Sequence, residues 1–183
     1  MLRATIVTGE NELLQIYKLN QENLKSNLDA ETKKRDGFVT WLYPLPLLKQ
    51  MHRLSPSIIV KDNEIVVGYA LTTLKESGIF HWDLKTMFQN LAVVQYKDKP
   101  LSFYNFYCMG QICVAKDYRG KGIVTMLYGK HKEVYGHQYE FLLTEISTRN
   151  ARSLKAHEKI GFQNIYTYTD LMDEWNVVIW NWK

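Results

Sequence analysis

Cysteine is nearly absent: Cys108 and Cys113 are the only two in 183 residues. They lie in one apolar segment, and a regular strand would send them to opposite faces. Neither a disulfide nor a metal site is therefore expected. No apolar run approaches the roughly 18 residues that a membrane helix needs, and Met1–Thr5 has no apolar signal region. Reduced thiols and the lack of a membrane segment lead to the expectation of a cytoplasmic protein. Proline and glycine are too few and too scattered to make a linker. No internal repeat or low-complexity tract breaks the chain, so residues 1–183 are expected to form one domain with a real core. Charge is weak as well. The 23 basic and 19 acidic residues leave a net charge of +4. The basic residues are spread rather than gathered, so no nucleic-acid footprint is visible.

What the chain does have is concentrated in Val114–Thr125. An apolar strand ends at Gly110-Gln111-Ile112-Cys113-Val114. A polar loop follows, and then a helix that carries Ile123, Leu127 and Val134 on one face. Arg119, Gly120 and Gly122 stand at the junction. The first-turn amides of a helix have no intrahelical acceptor, and the helix dipole favours negative charge there. Glycine lets the backbone approach such an anion closely. The competing reading is a tight strand-to-helix connection with no ligand. Two other phosphate motifs fail: a P-loop needs four residues between its glycines followed by Gly-Lys-Ser/Thr, and a dinucleotide fingerprint needs a third glycine early in a βαβ unit.

The remaining elements follow from periodicity. Residues 2–7 read as a first strand, and Asn11 as the N-cap of a helix carrying Leu13, Ile16, Tyr17, Leu24 and Leu28. The run Glu31–Asp36 reads as a solvated turn or helix face closed by Gly37. An aromatic segment, Phe38–Tyr43, ends at Pro44, and a short helix covers 47–53. Residues 57–61 and 65–73 form a hairpin around Asp62-Asn63-Glu64. A helix over 84–91 and a short strand over 92–96 come next. Strands over 103–114 and 141–146 follow, then a helix from Asn150 to Gly161, and two final strands over 164–169 and 175–182. The Trp-rich last strand is apolar on both faces and suits a sheet interior better than a dimer edge. Helices and hairpins mixed in this order predict an α/β (α+β) fold with a mixed sheet.

The second informative stretch is Asn150-Ala-Arg-Ser-Leu-Lys-Ala-His-Glu-Lys-Ile-Gly-Phe162. Asn150, Ser153 and His157 share a helical face with Leu154 and Ile160, so these polar groups need partners or a ligand. Together the two stretches resemble the GNAT superfamily of acetyl-CoA-dependent N-acetyltransferases. Arg119-Gly120-Lys121-Gly122-Ile123-Val124 matches the family's pyrophosphate loop. Asn150, Ser153, Lys159, Gly161 and Phe162 match its second motif in order and spacing. The likeness covers Gly110–Phe162, while the first half agrees only in element order. Two positions depart from the pattern. Val124 takes the last small position of the loop, and His157 stands where many members carry a tyrosine acid.

The resemblance implies a mostly antiparallel central sheet flanked by helices, with two core strands splayed around the thioester. It implies that Ile112, Cys113 and Val114 lend backbone groups to the pantetheine arm, and that a backbone amide at Cys113 or Val114 serves the acyl oxygen. Arg119, Gly120, Lys121, Gly122, Ile123, Val124 and Thr125 would hold the pyrophosphate, and Asn150 and Ser153 would line the arm. The expected reaction moves an acetyl group to a primary amine of a small molecule or peptide by direct attack, without a metal. His157 is the candidate acid for the leaving thiolate, against a structural histidine bonded to a carbonyl. Glu145 is the candidate base, against an ion pair with Arg149 or Arg152. Cys108 stands where some relatives carry a glutamate base. Phe38, Trp41 and Tyr107 are candidate acceptor contacts, against a plain aromatic core. Neither nucleic acid nor membrane is expected as a partner, and a homodimer is possible. The competing function is a non-catalytic acyl-CoA-binding module of the same fold.

Overall fold

The computed structural model describes every residue from Met1 to Lys183. Nine strands form, β1 (Leu2–Ile6), β2 (Ile58–Asp62), β3 (Ile65–Thr73), β4 (Gln95–Tyr96), β5 (Lys99–Pro100), β6 (Phe106–Val114), β7 (Phe141–Ser147), β8 (Gln163–Thr169) and β9 (Glu174–Asn181). Six α-helices accompany them, α1 (Glu10–Glu22), α2 (Ala30–Asp36), α3 (Leu45–Leu54), α4 (Trp82–Ala92), α5 (Ile123–Tyr135) and α6 (Ala151–Ile160). Seven strands make one sheet in the order β1-β2-β3-β6-β7-β9-β8, and β4 and β5 pair separately. Every neighbouring pair in the main sheet is antiparallel except β6 and β7. No helix is long and apolar enough to cross a membrane.

Strand alternation sorts the core into two layers. On one face Ile59, Tyr69 and Leu71 pack with Leu13 and Ile16 of α1 and Leu48 and Met51 of α3. On the other, Ile58, Val60, Val67 and Met109 pack with Ile123, Leu127 and Tyr128 of α5. Phe88 and Leu91 of α4 cover Phe106, Phe141, Val177 and Ile179 farther along the sheet. β9 runs between β7 and β8, as its two apolar faces require.

Several boundaries differ from the sequence reading for local reasons. α1 begins after Gly9 rather than Asn11 and stops at Glu22, before Leu24 and Leu28. Its start is set by Glu12, whose carboxylate accepts from the Thr8 amide at 2.6 Å and the Thr8 hydroxyl at 3.1 Å. That contact ties the entering chain to the first turn. The strand expected over 92–96 shrinks to the two-residue β4, because Leu101 N–H bonds back to Val94 O at 2.9 Å and closes a small hairpin. β6 starts only at Phe106, since Leu101–Phe103 forms a single 3-10 turn.

Two irregularities in β6 matter for the site. Ala70 pairs with Ile112 but Thr72 pairs with Met109, so β6 carries one extra residue around Gly110–Gln111. Such a bulge reverses the alternation beyond it. Cys108 and Cys113 consequently face the same side of the sheet, contrary to the regular-strand expectation, yet they belong to separate clusters and both are free thiols. In addition, β6 and β7 pair only through Phe106↔Phe141, Tyr107↔Leu142 and Cys108↔Leu143. Beyond that point β7 stays paired with β9, β6 stays paired with β3, and a wedge opens between them.

Candidate active site

Two adjoining cavities fill the wedge. The first, about 430 Å³, lies between the end of β6, the loop before α5, and α6. Ile112, Cys113, Val114, Arg119, Gly120, Gly122, Ile123, Val124, Asn150 and Ser153 all line it. Gly120 and Gly122 both have φ of +77°, a conformation that side-chain-bearing residues rarely adopt. A Cβ at either position would meet nothing within 4 Å, so backbone conformation rather than crowding within the chain calls for glycine. The helical ladder begins with Met126 N–H on Gly122 O at 3.1 Å, and the amides from Gly120 to Thr125 bond to no acceptor in the chain. Lys121 and Thr125, expected to hold the pyrophosphate with their neighbours, are not among the residues that line the cavity.

Hydrogen-bond alternation decides which β6 amides face the wedge. Ala115 N–H bonds to Val67 O at 2.9 Å on β3. The Cys113 amide points the same way and is occupied by the β3 ladder. The amides of Ile112 and Val114 turn into the gap. The expectation that Cys113 offers a free amide is corrected by this register.

Arg119 is held more tightly than a phosphate-seeking arginine would be. Its Nε donates to Val114 O at 3.2 Å, one Nη donates to Asn23 Oδ1 at 2.6 Å, and the other lies 2.8 Å from Asp36 Oδ2. Asn150 caps α6 by accepting from Ser153 N–H at 3.2 Å, and its Nδ2 donates to Phe38 O at 2.9 Å. These bonds satisfy both ends of the amide and fasten α6 to the segment after α2.

His157 is placed differently from the sequence expectation. It lines both cavities, but Nδ1–H donates to Ser153 O at 2.8 Å and Nε2 accepts from Tyr128 Oη at 2.6 Å. Burial pulls its pKa down to about 4. The imidazole is neutral at neutral pH with both nitrogens occupied, which contradicts the role of proton donor to a thiolate. The backbone-bonded reading of His157 is the one the geometry matches.

The second cavity, about 330 Å³, opens on the far side of the wedge. Phe38 and Trp41 line it, with Tyr43, Trp82, Met87 and Trp175. Trp41 packs edge-on against Tyr43 and His81, at 4.4 and 4.9 Å between ring centroids. Tyr107 is not there. It is fully buried on the α5 face, where its hydroxyl bonds His131 Nδ1 at 2.9 Å, so the acceptor assignment for Tyr107 is corrected. Glu145 lines this cavity, on the part of β7 that has parted from β6. Burial raises its carboxyl to about 7, while a 2.8 Å hydrogen bond from Tyr168 Oη to Oε1 works against that rise. The ion pair proposed as its alternative does not form, since Arg149 Nε binds Asp173 Oδ1 at 2.8 Å instead and Arg152 faces the first cavity. Thr86 Oγ1 and Trp175 Nε1, both buried polar atoms without a hydrogen-bond partner, line the same space.

Residues 14–162 match the acetyltransferase (GNAT) family. The chain belongs to that family. No individual curated protein matches it. Among solved structures, a chain of the NatC complex bound to Gag peptide and CoA is similar, with 14% identity, a TM-score of 0.65 and 98% of each chain covered. So is yncA of Salmonella typhimurium with its cofactor acetyl-CoA, at 15% identity and a TM-score of 0.62, covering 100% of this chain and 94% of that one. The ribosomal-protein-alanine N-acetyltransferase of Brucella melitensis aligns at 18% identity and a TM-score of 0.62, over 99% of both chains. At such identities the likeness is one of fold.

Within this GNAT chain, the sequence reading missed Tyr168, Asp36 and Asn23. Each reaches the site from an element far away in sequence, and no local motif marks any of them.

Proposed function

We propose that the chain is an N-acetyltransferase that moves an acetyl group from acetyl-CoA to a primary amine of a small molecule or peptide by direct attack. The observation that carries this reading is a row of free backbone amides on one side of the β6–β7 wedge and a half-buried carboxylate on the other. The residues present fit such a donor. Gly120–Thr125 supply unpaired amides at a helix N-terminus for a pyrophosphate. Lys155 and Lys159 add positive charge to the same cavity, and Ile112 and Val114 turn amides toward a pantetheine arm.

Acetyl-CoA supplies an activated thioester; binding, orientation and proton movement fall to the chain. An ordinary alkyl ammonium, with a pKa near 10.4, must lose a proton before it can attack. Glu145, raised to about 7, is matched to take that proton at neutral pH. The freed nitrogen would attack the acyl carbon, forming the C–N bond as the C–S bond breaks, and CoA would leave as the thiolate that takes up the second proton shed by the new amide nitrogen. A wedge-facing amide of Ile112 or Val114 donates to the acyl oxygen as charge develops there. Cys108, whose thiol burial pushes far up, stays protonated and is unsuited to a covalent route.

The test is release of free CoA thiol from acetyl-CoA with a panel of amines and peptides. Amine-dependent release that Glu145→Gln lowers at least a hundredfold supports the reading. One observation favours the competing module: His157 has no nitrogen free to protonate a leaving thiolate. A melting shift with acetyl-CoA but no release with any acceptor selects the module.

A further inference from the structure

We propose that Tyr168 is a positioning residue for Glu145, fixing Oε1 so that Oε2 is left for the acceptor amine. The inference rests on the reading of Glu145 as the base.

Tyr168 and Glu145 are on strands separated by β9, and an unbroken register would not bring them together. Asn164 pairs with Val178, but Tyr166 pairs with Val177, so β8 carries one extra residue between them. Val178 packs on the α5 side of the sheet, while Val177 packs on the α4 side. Continued without the extra residue, the register would set Tyr168 on the α5 side, away from Glu145. The bulge turns it over, because a one-residue slip exchanges the two faces of a strand. Tyr168 then stands opposite Trp175 and its hydroxyl reaches Glu145 Oε1 at 2.8 Å, while Oε2 has no hydrogen bond in the chain.

The surroundings make this bond the dominant favourable contact of the carboxylate. Asp170, in the β8–β9 turn, raises the proton affinity of Glu145. Cys108 of β6 and Tyr43, ahead of α3, are both held neutral by burial. His157 of α6 is neutral as well, and Asp83 of α4 is a second carboxylate on the cavity wall. No cation lines this cavity. Apart from the phenol, burial and charge all favour the protonated form of Glu145. Without its hydroxyl, the carboxylate gains proton affinity and loses its fixed orientation.

The experiment is the pH profile of kcat/KM for the Tyr168→Phe protein, with any amine the wild type accepts. The acidic limb should move up by about one pH unit. The loss should be about fivefold near pH 7, approach tenfold at lower pH and be mostly recovered near pH 9, with the KM for acetyl-CoA unchanged. Tyr168→Gln, whose amide N–H can donate in place of the phenol, should return the limb toward wild type. A Phe variant with an unmoved limb, or one reduced equally at every pH, overturns the proposal. Should that variant not fold, as judged by loss of the acetyl-CoA melting shift, Tyr168→Met against Tyr168→Gln asks the same question by the same criteria. Glu145→Gln separates the two levels. If it leaves the rate and limb of the wild type intact, the assignment of the base is wrong. If it abolishes the limb while Tyr168→Phe leaves the limb in place, only the positioning role is wrong.

Discussion

Arg119 Nη1 lies 2.8 Å from Asp36 Oδ2, which joins the loop before α5 to the end of α2. Asp36 is also held by Arg35, through bonds of 3.1 and 3.0 Å. The guanidinium that the sequence motif assigns to an anion is thus already paired with a carboxylate on the cavity wall. The loop's amides are left without an acceptor in the chain, and Arg119 straps the loop in place.

This pairing sets the direction of the first prediction. Asp36→Asn removes a negative charge from the wall of the first cavity and leaves an oxygen for Arg119. CoA affinity should rise several-fold, in line with about 1 kcal/mol for one partly exposed charge. The gain should shrink as salt is added. Calorimetric titration at two ionic strengths measures it. A weaker Kd at both would mean that holding Arg119 outweighs the charge.

Gly122→Ala tests the loop conformation. The new Cβ has room, but a φ of +77° is costly for alanine. Destabilisation of roughly 1 kcal/mol is expected from the left-handed conformation alone. If the loop relaxes instead, the amides swing away and acetyl-CoA affinity falls about tenfold or more. Thermal melts with and without acetyl-CoA separate these outcomes; no change in either would remove the conformational requirement.

Glu145 is predicted to serve function at the expense of stability. Its folded pKa, about 7, exceeds the ordinary value of 4.5, so the folded state binds the proton more tightly than the unfolded state does. The associated stability is complete below about pH 4.5 and is lost as pH rises through 7. Glu145→Gln should therefore raise Tm at pH 8, on the order of 2 kcal/mol in free energy, and change it little at pH 4. An equal change at both pH values would rule out this linkage.

His157 and His131 give the opposite slope. Burial lowers them to about 4 and about 3, from an ordinary 6.5. Their stability is present above pH 6.5 and is lost as pH falls from there through 4 and then 3. Replacing His157 by Gln, which can keep one hydrogen bond, should flatten the decline in Tm between pH 6.5 and 4 while lowering Tm at pH 7.5. A decline as steep as wild type would show that His157 does not titrate between the two states.

The glycine loop and the α6 cap were legible from sequence and the lining of the second cavity was not, for a definite reason. Gly120, Gly122, Asn150 and Ser153 act through local geometry: a left-handed turn, free first-turn amides and a helix cap. Each depends on residues a few positions away, so spacing alone carries the signal. Tyr107 and Tyr168 depend on which face of a strand they occupy, and bulges in β6 and β8 alter that parity without a mark in the composition. His157 was found by its motif position, but its protonation state follows from Tyr128, 29 positions earlier in the chain.

The chain by itself determined most of the order of strands and helices, the glycine loop before α5 and the α6 cap, because these follow from short-range periodicity and backbone preference, and its two motifs carried the family resemblance. Only the tertiary structure decided that Arg119 is already paired, that His157 is neutral, that the Val114 amide and not that of Cys113 faces the wedge, and that Tyr168 meets Glu145. Those outcomes depend on sheet register and desolvation, which exist only once distant strands have paired and excluded water.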